Sequence, residues 1–104
     1  MTRYLSHAVL HAGEVYRNSI VELDSDKLII AKFTGEEHST IFVSGIIAVV
    51  AENRITPSQT AYLKQIVKNA PLVETAILRT MRYLNEQTLF PEPDDKKMLL
   101  IMQR

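Results

Sequence analysis

The longest uninterrupted apolar run, residues 46–51 (Ile-Ile-Ala-Val-Val-Ala), restricts the possible folds more than any other segment. A β-strand places successive side chains on opposite faces, so a strand made of this run is apolar on both faces. Residues 28–31 have the same character. We therefore expect cover on both faces, with helices on one face and more sheet, from this chain or from a partner, on the other.

Residues 1–53 are predicted to form short strands separated by turns. The predicted strands are residues 4–10, 15–23, 28–33, 40–43 and 46–51. Gly13, the polar segment 24–27 and the pair Ser44-Gly45 supply the turn residues and the bend between them. A spacing of roughly ten residues between strands is typical of a compact sheet or small barrel.

The pattern changes to helix at Thr56, which is followed by Pro57 and by Gln59. A hydroxyl at the N-cap, proline at the first helical position and glutamine at the third form a capping box. Pro71 interrupts the helical pattern, because proline disfavours helical geometry at the residue before it. Residues 56–87 are thus predicted to form a pair of helices.

The apolar segment 97–103 is predicted to close the sheet as a C-terminal strand, here or in a neighbouring subunit. The fold class is therefore α+β: a small antiparallel or mixed sheet of about five N-terminal strands and a C-terminal strand, with a two-helix hairpin on one face. We expect one domain over residues 1–104, divided into a β-rich part (1–53), the helical pair (56–87) and the closing strand (97–103). A length of 104 residues leaves no room for two independent cores.

No pattern of catalytic, cofactor-binding or metal-binding residues is found. The chain has no cysteine, its three glycines are scattered, and it has no Gly-x-Ser-x-Gly motif. His7 and His11 on a strand are separated by roughly 13 Å, too far to share a metal ion. His38 lies in an acidic turn. We expect no enzyme activity, no cofactor and no metal.

Paired carboxylates occur only in predicted turns, where acidic residues are common for conformational and solvation reasons. The pairs are Asp24 and Asp26, Glu36 and Glu37, and Asp94 and Asp95. Acid–base catalysis needs carboxyl groups whose pKa is shifted by a dry pocket, and nothing in the sequence places these groups in one. We interpret all three pairs as solvated turn residues.

Charge and hydropathy argue against nucleic acid and membrane as partners. Residues 54–88 carry five basic and two acidic side chains, too weak an excess for a nucleic-acid footprint. The longest apolar run is far shorter than the ~20 residues that span a bilayer. No secretory signal is recognised at the N-terminus. We expect a soluble, cytoplasmic protein.

Residues 4–50 follow an order known from one enzyme family. The matching segments are residues 4–10, 13–16, 19–23, 27–29 and 42–50. They resemble the small β-segment that precedes the barrel in metal-dependent amidohydrolases, with Ser44-Gly45 at the bend that leads into the first barrel strand. A His-x-His metal pair follows that bend in the family, but here Ile46 begins an apolar run, and the barrel is missing. The resemblance implies a β-sandwich-type fragment without the enzyme, and no functional residue carries over.

The function predicted from these patterns is a non-enzymatic assembly or protein-interaction module that forms homo-oligomers. We expect the two-faced apolar strands and the C-terminal strand to present more apolar surface than two helices can cover. Met98, Leu100 and Met102 are the candidate interface residues, and burial in the core of the monomer is the alternative for each of them. Two alternatives are a small-molecule or peptide-binding domain, with its pocket between sheet and helices, and an accessory subunit of a larger enzyme.

Overall fold

A computed structural model describes residues 2–35 and 39–104. Five strands and two helices follow one another along the chain. They are β1 (Arg3–His11), β2 (Glu14–Asp24), β3 (Lys27–Lys32), β4 (Thr40–Ala51), α1 (Pro57–Asn69), α2 (Val73–Glu86) and β5 (Lys97–Gln103). The predicted α+β class, with a C-terminal strand and a helix pair, is confirmed. The acidic turn with Glu36, Glu37 and His38 lies outside the described residues.

The strands form one mixed sheet in the order β3-β2-β1-β4-β5. β1 and β4 at its centre are parallel, and the other three pairs are antiparallel. Two short strands were expected at residues 40–43 and 46–51, whereas the structure has the single strand β4 through both. The described N-terminal part therefore has four strands, and β5 is the fifth.

Ser44 and Gly45 do bend the chain, but as a bulge inside β4 rather than as a break. Strand pairing moves from Ser6 opposite Val43 to Ala8 opposite Ile46. β4 therefore advances by three residues where β1 advances by two, which is the one extra residue of a β-bulge. Gly45 is required here, because a Cβ atom on it would lie 2.0 Å from the carbonyl oxygen of Met102. The missing side chain lets β5 approach β4 closely.

The neighbouring strands are irregular at the same level of the sheet. Asn18 in β2 has a positive φ of +47°, and the pairing of β1 with β2 is interrupted between Ser6–Ser19 and Ala8–Arg17. The Ser6 hydroxyl donates a hydrogen bond to the Ala8 carbonyl oxygen (2.8 Å), and the Ser19 hydroxyl donates one to the Arg17 carbonyl oxygen (3.0 Å). These irregularities form a fold line across β1, β2 and β4.

The fold line divides the sheet into two halves. The open half consists of β3 with residues 3–6, 19–24 and 40–43, and the helix-bearing half consists of β5 with residues 8–11, 14–17 and 46–51. A cluster of strand residues joins the two halves: Val21 and Val43 from the first, and Val9, Ile47 and Val49 from the second. All five side chains are at most 2% exposed, although no helix residue belongs to this cluster among the described residues. The sheet thus folds over and covers its own second face.

The helices cover the other face of the helix-bearing half. The capping box is present, with the Thr56 side chain accepting from the Gln59 N–H and the Gln59 side chain accepting from the Thr56 N–H. The helices and this face of the sheet together form what we call the helix-covered core. Its buried residues are Ala8, Leu10, Ile46, Ala48 and Val50 from the sheet, Leu63, Val67, Ala70, Ala76, Ile77 and Leu84 from the helical region, and Leu89, Leu100 and Met102 beyond it. The apolar run of β4 is therefore covered on both faces within the chain.

Replacement of Gly45 by alanine tests the close approach of β4 and β5. We expect Gly45→Ala to lower the free energy of unfolding by at least ~2 kcal/mol, because the new methyl group meets backbone that cannot rotate away. Ser44→Ala at the exposed neighbouring position is the matched control and is expected to cost less than about 0.5 kcal/mol. Urea unfolding measures both, and equal stability of the two variants would contradict this account.

Candidate functional site

The histidines that were weighed as metal ligands have separate surroundings. The His7 ring packs edge-on against Phe42, with the ring centroids 5.7 Å apart. His11 lies at the end of β1, where its Nδ1 atom is buried and has no hydrogen-bond partner. Burial, and secondarily the positive charge of Lys97, lowers the pKa of His11. Within residues 2–35 and 39–104, no group of three His, Cys, Asp or Glu side chains is arranged to hold a metal ion.

Asp95 differs from the solvated turn residue that the sequence indicates. Its carboxylate accepts hydrogen bonds from the Glu92 N–H (2.9 Å) and from the Arg54 guanidinium (2.6 Å), and only 15% of the side chain is exposed. These two hydrogen bonds, the backbone one first, lower the pKa of Asp95. Arg54 also donates to the carbonyl oxygens of Thr88 and Phe90. The cluster fixes the segment between α2 and β5 and brings β5 to the sheet.

The three candidate interface residues point toward the helices. Leu100 is 4% exposed and Met102 is fully buried, and both belong to the helix-covered core. Met98 is partly buried against the same core. Their side chains thus contact this chain, and any role in assembly depends on the strand that carries them.

β5 lies at an end of the sheet, so its second edge has no neighbouring strand among the described residues. The Arg104 N–H donates to the Ser44 carbonyl oxygen (2.8 Å), and the Glu52 N–H donates to the Lys96 carbonyl oxygen (2.9 Å). Hydrogen-bonding residues alternate along an antiparallel strand, so even-numbered residues of β5 face β4. The backbone groups of Lys97, Leu99, Ile101 and Gln103 consequently point to the open edge.

The other end of the sheet is a poorer template for pairing. β3 has six residues and carries a lysine at each end, Lys27 and Lys32. Lysine on an edge strand opposes the addition of another strand, because its charge would be desolvated. β5 has one lysine, Lys97 at its start, followed by five consecutive apolar residues (98–102), and it has no proline. Of the two edges, β5 is therefore the more competent for strand addition.

A second apolar surface lies on the open half of the sheet. Strand pairing aligns Ala31, Ile20, Leu5 and Phe42 in one row across four strands. Phe42 is 57% exposed, and the pair Arg3–Glu22 borders the row with an N–O distance of 3.7 Å. Neither this row nor its exposure can be predicted from the sequence, because both depend on how much of the sheet the helices cover.

Two cavities open at the surface of the described residues, and one of them lies where α1 meets β5. One of about 390 Å³ lies beside the start of α1 and is lined mainly by apolar groups, including Ile55, Pro57 and Met98. Another of about 290 Å³ lies between the helices, where Tyr62 and Tyr83 pack together beside Arg79 and Arg82. Away from the cavity beside Met98, the space between sheet and helices is filled by the helix-covered core.

The ionisation of Asp95 makes part of the stability depend on pH. Because the folded-state pKa lies below the ordinary value of 3.8, the stabilisation is complete above that value and is lost as the pH falls through the folded-state pKa. We expect Asp95→Asn to be less stable than the parent chain near neutral pH, and the difference to shrink on acidification. Urea unfolding at several pH values measures this. A constant difference would contradict the assignment, and Asp94→Asn is the matched control.

Comparisons with known proteins add no relative to this description. No family model, no curated protein and no solved structure matches the chain. The resemblance of residues 4–50 to the β-segment of amidohydrolases therefore stays a prediction. Among the described residues, no helix is long and apolar enough to cross a membrane. The arrangement of the strands thus carries the functional argument alone.

Proposed function

We propose that this protein is a non-enzymatic, cytoplasmic assembly module that forms homo-oligomers. The observation that supports this proposal is the open edge of β5. At this edge the backbone groups of Lys97, Leu99, Ile101 and Gln103 point outward. Residues 98–102, between the two polar ends of the strand, are all apolar. A strand edge of this kind is a template for another strand, and each hydrogen bond made there contributes about 0.5–1.5 kcal/mol.

The role proposed for the candidate interface residues is not a direct side-chain contact with a partner. Met98, Leu100 and Met102 serve assembly through their position along the edge strand, while their side chains remain in contact with the helix-covered core. Substituting Leu100 with a charged residue would therefore unfold the chain rather than test assembly. Variants that alter the edge or the open half, or that keep an apolar side chain in the core, are the informative ones.

Two other functions remain as alternatives to assembly. The cavity beside Met98 supports a small-molecule or peptide-binding domain, because its lining is mainly apolar. The partly exposed row that ends in Phe42 supports an accessory subunit that docks on a larger chain. The free backbone edge favours assembly over both, since it offers directional hydrogen bonds as well as apolar contacts.

Light scattering across a concentration series tests the proposed function. We expect the purified chain to form a dimer or larger species, and Phe42→Ser, which alters only the open half, to associate equally well. A strict monomer up to the millimolar range would overturn the proposal. Association that Phe42→Ser abolishes would keep self-assembly but move it to the open half of the sheet.

A further inference from the structure

We propose, building on that function, that the occupant of the β5 edge is β5 of a second copy, paired antiparallel about a two-fold axis at Leu100. Two five-stranded sheets would then join into one continuous sheet across the dimer. A two-fold interface requires a surface that is complementary to itself. Both the backbone and the side chains of β5 meet that requirement in the same register.

The backbone groups match when Leu100 faces Leu100 of the partner subunit. Leu99 then lies opposite the partner's Ile101, and Lys97 lies opposite the partner's Gln103. All of these are odd-numbered residues, whose N–H and carbonyl groups point to the open edge. Directly opposed residues of this kind exchange two hydrogen bonds in an antiparallel pair. A slip of one residue would oppose outward-facing groups with groups already bonded to β4.

The side chains match in the same register because the segment Met-Leu-Leu-Ile-Met (98–102) is nearly palindromic. Met98 lies beside the partner's Met102 on the helix face, and Leu99 lies beside the partner's Ile101 on the other face. Lys97 meets an amide, so no like charges are opposed. A slip of two residues keeps the backbone match, but it places Lys97 opposite the partner's Ile101 in one direction and Leu99 opposite the partner's Gln103 in the other. The register with its axis at Leu100 is therefore the favoured one.

Cysteine cross-linking tests this register directly, because the chain has no cysteine of its own. Even-numbered residues occupy the non-hydrogen-bonded pairs, whose opposed Cβ atoms lie about 4.5–5.5 Å apart, close to disulfide geometry. We expect Leu100→Cys to form a disulfide-linked dimer on oxidation. Met98→Cys alone and Met102→Cys alone would not, since each residue lies roughly 13 Å from its own copy. A mixture of these two variants would form the cross-linked heterodimer.

A proline substitution at Ile101 tests the hydrogen bonds of the open edge separately from those within the chain. The Ile101 N–H points away from β4, so Ile101→Pro removes an edge donor without removing a hydrogen bond within the chain. We expect the dimer to be weakened about tenfold or more, because two symmetry-related hydrogen bonds are lost. Ile101→Val keeps the donor and is the matched control. Circular dichroism and thermal unfolding verify that both variants fold.

The outcomes distinguish the register from the proposed function. Cross-linking at Leu100→Cys and in the Met98→Cys and Met102→Cys mixture, but not in the separate Met variants, supports the two-fold β5 pair. Oligomers that form no such cross-links would overturn this inference and leave self-assembly in place. A strict monomer in light scattering would overturn both. If Ile101→Pro does not fold, the cross-linking pattern alone decides.

Discussion

The close contact between Gly45 and the backbone of Met102 is the constraint on which the sheet depends. It lies within the bulge of β4, at the level where β1 and β2 are also irregular. Because the alternation of side chains shifts at this level, Tyr4 in the open half and Val9 in the helix-bearing half contact the same core. One continuous sheet can therefore bury both faces of its central strand, which solves the problem posed by the apolar run of β4 without a second layer of helices.

Local features of the fold were predictable, and those that depend on distant contacts were not. The capping box at Thr56 was readable because its hydrogen bonds join residues three apart. Ser44-Gly45 was predicted as a bend, but only the parallel pairing of β4 with β1 shows that the strand continues through it. Arg54 and Asp95 are 41 residues apart, and neither has a local signature. Positive φ at Asn18 likewise follows from the fold line rather than from a turn motif.

The same distinction applies to the candidate site. An apolar C-terminal strand had to enter a sheet, and the structure places β5 beside β4. The sequence pattern does not say which of its two edges stays open, because that depends on the order of the strands. Nor does it separate the roles of odd and even residues along β5, which the hydrogen bonds at Arg104 and Glu52 establish. The palindromic character of residues 98–102 gains meaning only once that alternation is known.

The strand order also has a consequence for synthesis of the chain. β1 and β4 are parallel partners with two strands between them in sequence, and β5 follows both helices. Local hairpins such as β1–β2 close a short loop, whereas these pairings close long ones and are slower. As the chain is made from its N-terminus, the apolar β4 is complete well before β5 can cover its edge. Nascent chains are thus exposed to mispairing at β4 during this interval, and at β5 afterwards.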